Sequence, residues 1–452
     1  MKNACIVEAE NLFDKMPQRN TVTWNTMIRG YFQNGFFDKA MCSFNQMPER
    51  DNFSYNTVIA GLMQCGDVNN AREVFDGMVD RSVVTWNSMI SGYVRNGLID
   101  EAIRVFDNMP IRDVVSWNLV IFGLGENDCG EDGIKFFIRM KESDLFPDQS
   151  TFTSVFTICS VLPSLDLGKQ THAQTIKTGL NCLIAVSNAM ITMYARCGNM
   201  QSALQEFSSM PIHDVISWNS IICGFAHHGE GKKALEMFER MRLTDVKPND
   251  ITFVGVLSAC SHAGLVDQGR YYFDYMKNKC FLQPTSEHYT CVVDLLGRFG
   301  LIDEAMSFLD QIRADGVEIP PSVWGALLGA CRIHKNIKVG EIAGESILEV
   351  EPSNSGVYLI LAEMFLSSGR KEDAEKIWAR MKGNGIKKQP GCSWIEINNS
   401  GHVFLSGDRS HTEFRRICFL LNLLSAEMGT KILKPSNATS EEIRISFVGC
   451  YE

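Results

Sequence analysis

Two kinds of side chain in this sequence have the types and spacing to do chemistry. The first is a His-x-Glu, His411-Thr412-Glu413, the pattern in which a zinc deaminase uses the histidine as a metal ligand and the glutamate to move protons. Such a site needs three protein ligands around an open position. Only Cys418 and Cys450 lie beyond it, and the fifteen cysteines include no C-x-x-C. We read the motif as a decoy and expect no metal or cofactor. No Gly-rich phosphate loop or G-x-S-x-G is present, and Cys260 with His262 reads as structural. The second kind is amide: Asn25, Asn56, Asn87, Asn118, Asn188 and Asn219 each follow a residue expected to pack, Trp24, Tyr55, Trp86, Trp117, Ser187 and Trp218. An amide offers both a donor and an acceptor. Helix capping or turn formation is the ordinary use of asparagine, but it would accept Ser, Thr or Asp interchangeably.

The asparagines also measure the chain. The first four are 31 residues apart, the next gap is 70, or two units of 35, and the last is again 31. Starting a helix four residues before each gives units 21–51, 52–82, 83–113, 114–148, 149–183, 184–214 and 215–249. Other columns then align. A glycine ends the first helix region at Gly30, Gly61, Gly92, Gly123 and Gly224, and turn glycines follow at Gly35, Gly66, Gly97, Gly198 and Gly229. A small residue comes next (Ala40, Ala71, Ala102, Gly133, Gly168, Ala203, Ala234). A phenylalanine stands four positions on in six units and a methionine three after that, as in Phe44 and Met47. Those spacings share one face of a second helix. Each unit is thus a helical hairpin that cannot bury both faces alone, and neighbours must stack into a solenoid with a long concave surface. Residues 1–20 fit the same grid as a second helix only, which suggests an incomplete gene reading or an internal methionine at the start.

Composition agrees with a folded chain of 452 residues, 45% hydrophobic and 21% charged. The richest apolar run, Ile417 to Leu424, is far short of the ~18 residues of a membrane span. The N-terminus has neither a signal-peptide core nor the character of a transit peptide. A net charge of −10 and a pI near 5.5 count against nucleic-acid binding that works mainly by neutralising phosphates.

Long phrases of the sequence resemble the pentatricopeptide repeat (PPR) family, in its plant PLS subgroup of alternating motif lengths. VVTWNSMISGYVRNGLIDEAIRVFDNMPIRD (83–113) and IAVSNAMITMYARCGNMQSALQEFSSMPIHD (184–214) resemble S motifs. VISWNSIICGFAHHGEGKKALEMFERMRLTDVKPN (215–249) resembles a P motif, while LDLGKQTHAQTIKTGL (165–180) and GVLSACSHAGLVDQGRYYF (255–273) resemble L motifs. Residues 322–354 and 355–390 resemble two E motifs, and PGCSWIEINNSGHVFLSGDRSH (390–411) resembles the E-plus segment or the opening of a DYW domain, truncated here. Alternation around Trp394 to Ile397 suggests a strand and Asn398-Asn399-Ser400-Gly401 a turn. The implied fold is all-α, a right-handed superhelical solenoid of stacked helix-turn-helix repeats with a small β-hairpin near the C-terminus. The implied organisation is a partial repeat (1–20), an array (21–321), E motifs (322–390), an E-plus-like segment (391–430) and a divergent tail (431–452).

The resemblance implies single-stranded RNA as partner, one base per repeat, read by the asparagine and the last residue of the same unit. Asn25/Asp51, Asn87/Asp113, Asn118/Asp148 and Asn188/Asp214 then prefer U, Asn56/Ser82 prefers C, and Asn219/Asn249 accepts C or U. Thr153 with Leu183 departs from the pattern and leaves its base open, and Thr290 of the last S motif hints at a purine. The expected core is U-C-U-U-n-U-Y. At the second position Val22, Phe53, Val84, Val115, Ile216 and Ile251 are either wedges between bases or ordinary hairpin packing. The implied role is site recognition for C-to-U editing of organelle transcripts, in mitochondrion or chloroplast. The chain itself is expected not to be an enzyme, and a deaminase is recruited in trans through 322–428. The rivals are a protein-binding helical scaffold, whose tetratricopeptide signature W-x₂-L-G-x₂-Y is missing, and an incomplete piece of a DYW-type deaminase.

Overall fold

The computed structural model describes residues 3–162, 164–314, 316–386, 391–397, 400–405 and 408–427. The tail 431–452, the end of the E-plus-like segment and the turn residues Asn398 and Asn399 lie outside the described residues. Two compact units, Met1–Phe299 and Gly300–Glu452, are described separately.

The first unit opens with one helix, α1 (Asn3–Lys15), followed by hairpins α2/α3 (Thr21–Gln33, Phe37–Gln46), α4/α5 (Asn52–Gln64, Val68–Asp76), α6/α7 (Val83–Arg95, Ile99–Asp107) and α8/α9 (Val114–Glu126, Gly130–Glu142). It continues with α10/α11 (Gln149–Val161, Leu165–Thr178), α12/α13 (Ile184–Arg196, Met200–Ser209), α14/α15 (Val215–His227, Gly231–Arg242), α16/α17 (Asp250–Ala263, Val266–Asn278) and α18 (Ser286–Arg298). Seven first helices begin at the residues that the asparagine spacing predicts, Thr21 to Val215. Each first helix packs on the next first helix, and each second helix fills the space between its own first helix and the following one. The result is a solenoid of stacked hairpins.

The repeated columns explain that packing. Ala40, Ala71, Ala203 and Ala234 are wholly buried, as are the Phe and Met columns four and seven residues later or nearly so. Each phenylalanine meets the aromatic residue of the next first helix edge to face, Phe75 to Trp86 at 4.9 Å and Phe106 to Trp117 at 4.7 Å between centroids, a preferred geometry for ring quadrupoles. One expectation is corrected: Gly30, Gly61, Gly92, Gly123 and Gly224 do not end their helices. Each helix runs about one turn further, to Gln33, Gln64, Arg95, Glu126 and His227. Gly61, Gly92, Gly123 and Gly224 are points of close approach instead; a Cβ at Gly61 would stand 2.3 Å from the Phe32 ring. The turn glycines are as expected, for example Gly66 at φ 79°, where a side chain would be strained.

The second unit holds α19 (Ile302–Ala314), hairpins α20/α21 (Pro321–His334, Ile337–Val350) and α22/α23 (Ser355–Ser367, Lys371–Gly383), an antiparallel pair β1 (Cys392–Ile397) and β2 (Ser400–Leu405) in register Trp394 opposite Val403, and α24 (Phe414–Glu427). Among the described residues no helix is long and apolar enough to cross a membrane, and none of the described cysteines forms a disulfide.

Candidate nucleic-acid interface

Each of the six asparagines is the fifth residue of its helix, inside the first turns and not at the cap. Asn25, Asn87, Asn188 and Asn219 are buried, and Asn56 and Asn118 half-buried. Capping falls to the last residue of the unit, which begins the next helix. Asp51, Ser82, Asp113, Asp148, Asp214 and Asn249 each accept the backbone N–H three residues on, as Asn20 does at the first hairpin. The short polar side chain at the end of each unit thus has a structural cause of its own, because it is what an N-cap requires.

Asparagine and cap then meet across the helix pair. The Nδ2 of Asn118 donates to Asp148 Oδ1 at 2.9 Å, Asn188 to Asp214 at 3.0 Å, Asn219 to Asn249 at 3.0 Å and Asn87 to Asp113 at 3.3 Å. The pairs Asn25/Asp51 and Asn56/Ser82 are not hydrogen-bonded, and the buried Oδ1 atoms of Asn25, Asn56 and Asn87 have no partner. Side-chain bonds to the three paired aspartates all end on Oδ1, which leaves Oδ2 and the second Nδ2 hydrogen for a ligand. Burial pushes the carboxyls of Asp113 and Asp214 up, but the amide and hydroxyl of Ser116 or Ser217 and the partner asparagine outweigh it and hold both below the ordinary value. Asp51 is lowered by the Ser54 hydroxyl and amide. These groups are anionic at neutral pH and act only as acceptors.

The second-position residues stand beside this row and are not packed. Val22, Phe53, Val84, Val115, Ile216 and Ile251 are between 52% and 68% exposed, so hairpin packing does not account for them. Ser150 and Ala185 interrupt the apolar row, and there a groove of about 490 Å³ is lined by Thr153, Thr157, Asn188, Thr192, Arg196 and Ile216. Thr153 and Thr290 turn their hydroxyls onto their own helices, to Ser150 O at 3.0 Å and Ser286 O at 2.8 Å. Leu183 offers α12 no side-chain cap.

Sequence reasoning missed two columns. Arg50, Arg81 and Arg112 precede the cap, donate to the last carbonyls of the second helix (Arg112 to Phe106 O at 2.9 Å and Asp107 O at 2.7 Å) and lie over the phenylalanine ring. His213 does the same to Phe207 O at 2.6 Å. The recurring Arg-Asp at unit ends, as in Arg112-Asp113, was the available signal. The other column is the hydroxyl three residues after the cap. The H-x-E histidine is engaged in the second unit: His411 Nε2 lies 2.8 Å from His402 Nδ1, and its Nδ1 accepts the Glu413 amide at 3.2 Å. Among the described residues no group of three or more metal-ligating side chains comes together.

A stack of two-helix repeats with an asparagine at the fifth position of six of its first helices defines a helical-repeat protein. Profiles described as PPR repeat match residues 22–52, 53–83, 84–114, 186–213, 251–281 and 287–317, and those described as PPR repeat family match 112–160 and 213–262. The chain therefore belongs to the pentatricopeptide repeat family. An E motif matches 334–396. Pentatricopeptide repeat-containing protein At2g13600 of Arabidopsis thaliana is 42% identical over 64% of this chain and 42% of its own length. Its relative At2g03880, mitochondrial, from the same plant is 41% identical over 63% and 45%. The chain thus spans less than half the length of these relatives. Among solved structures, maize PPR10 superposes with TM-score 0.53 at 17% identity, covering 84% of this chain and 61% of that one. PPR10 in complex with an 18-nt psaJ RNA element gives 0.51 at 15%, over 85% and 67%.

Proposed function

We propose that this chain binds single-stranded RNA sequence-specifically, reading one base per repeat with the asparagine and the following cap. The observation that carries the reading is the repeated Asn–Asp pair with Oδ2 and one amide hydrogen unspent, flanked by an exposed apolar side chain. A donor beside an anionic acceptor suits the O4 and N3–H of uracil and opposes cytosine, whose N3 is an acceptor. The Ser82 hydroxyl can donate to that N3, and Asn249 has a spare amide. The exposed second-position side chains hold neighbouring bases apart. Base edges and apolar wedges carry the affinity, which reconciles a net charge of −10 with an RNA partner.

The E motif, the family and the mitochondrial and chloroplastic names of relatives support a role in choosing C-to-U editing sites on organelle transcripts, with the deaminase supplied in trans through 322–428. A gel shift tests the binding. Single-stranded RNA carrying U-C-U-U-n-U-Y should be retained, and the same RNA with purines in the core should bind about tenfold or more weakly. Equal binding, or none, would leave the protein-binding scaffold as the better reading.

A further inference from the structure

Six pairs share one plan, yet the hydroxyl three residues after the cap is used in two ways. Thr151 Oγ1 lies 2.6 Å from Asn118 Oδ1, Ser217 Oγ 2.6 Å from Asn188 Oδ1 and Thr252 Oγ1 2.6 Å from Asn219 Oδ1. The same hydroxyls lie further from their caps, at 3.0, 2.9 and 2.9 Å. A hydroxyl has one proton to give, and the shorter contact takes it. In the other three units the hydroxyl serves its own cap: Ser54 to Asp51 at 2.7 Å, Thr85 with Ser82 at 2.9 Å, Ser116 to Asp113 at 2.7 Å. These are the units in which the asparagine Oδ1 is buried without a partner.

Resting on the base-reading proposal above, we infer that Thr151, Ser217 and Thr252 are positioning residues that fix which way round the reading amide faces. In their units the amide is tied at both ends, Oδ1 to the wholly buried hydroxyl and Nδ2 to the cap. Turning the amide over would set Oδ1 against the cap's own oxygen, two acceptors face to face, and bring Nδ2–H against the hydroxyl, which would exchange its 2.6 Å contact for the longer one to the cap. The outward group is therefore always a donor, and a base that offers a donor there meets a site that cannot adapt. At Asn25 and Asn56 neither end is tied to these partners, and at Asn87 only the longer 3.3 Å bond holds. Such amides adapt to either edge. Discrimination along the RNA is thus uneven: between U and C it is concentrated at the fourth and sixth bases of the core and relaxed at the first three, while at the seventh the tied amide separates pyrimidines from purines only.

The test is full-chain protein with Thr151→Val, assayed against RNAs that vary only the fourth base. The U-over-C preference at that base should fall about tenfold while preferences at the third and sixth bases stay as they were, and Thr151→Ser should restore it. Thr23→Ala, whose hydroxyl serves the Asn20 cap outside the six pairs at 2.7 Å, should leave every base preference unchanged. If Thr151→Val weakens all RNAs equally, or changes none, the hydroxyl is only a helix-start residue and the inference fails. Ser217→Ala, read as the U-over-C preference at the sixth base, keeps the test decisive should Thr151→Val fold poorly. Asn118→Thr separates the two levels. If it shifts the fourth-base preference while Thr151→Val does not, base reading stands and the positioning role falls; if it too shifts nothing, base reading falls as well.

Discussion

Asn87 illustrates what a single side chain decides here. Its amide is buried beside Trp86, tied to Asp113 through Nδ2 and unpaired at Oδ1, an expensive arrangement if its only task were packing, since an unsatisfied buried polar atom costs roughly 1–3 kcal/mol. Asn87→Thr should move preference at the third base from U toward G by about tenfold and leave the other bases alone, as read by binding to single-base RNA variants. A uniform loss over all RNAs would mark the asparagine as structural. The asparagine column and its spacing were legible in the sequence because one residue type recurs at one place. The state of each amide was not, because Ser54, Ser116 and Ser217 are the same residue at equivalent positions and differ only in which oxygen their proton meets.

At the scale of the element, helix starts were readable and helix ends were not. Apolar periodicity and the asparagine grid locate the first turn, whereas Gly61, Gly92 and Gly123 look like stop signals and are instead contact points within continuing helices. The distinction lies in the neighbouring helix, which a single hairpin's sequence does not contain. Gly61→Ala places a methyl against the Phe32 ring, and because that ring is buried it has little room to give. We expect a loss of about 1–3 kcal/mol in chemical denaturation, with Gly35→Ala, which meets no neighbour but has φ 78°, destabilising through backbone strain alone. Equal stability of Gly61→Ala and the parent protein would show that α2 and α4 are not in close contact.

Over the molecule, stability should respond to acid in two stages. His288 is wholly buried at the third position of α18, accepts the Thr285 amide on Nδ1 and donates Nε2–H to Asp250 O. Burial lowers its pKa below the ordinary 6.5, with the Asp250 carbonyl opposing. A lowered histidine binds fewer protons folded than unfolded, so its contribution is complete above pH 6.5 and declines as pH falls through that value toward the folded one. The caps Asp51, Asp113 and Asp214, lowered below 3.8, keep theirs until the more acidic range and lose it as pH drops further. Thermal melting across pH should show the first decline vanish in His288→Gln while the second persists; a decline unchanged by that substitution would assign it elsewhere. The junctions carry a further consequence. Because the residue that starts each helix is, on the proposed reading, also one letter of the recognition code, the vocabulary open to evolution or design is limited to side chains that can begin a helix. Leu183 shows the cost of leaving it: α12 starts without a side-chain cap, behind an added turn at Leu180–Cys182 whose Asn181 carbonyl takes up the Ser187 hydroxyl. An array of this kind can be respelled freely among Asp, Asn, Ser and Thr, and any other letter must bring its own scaffolding.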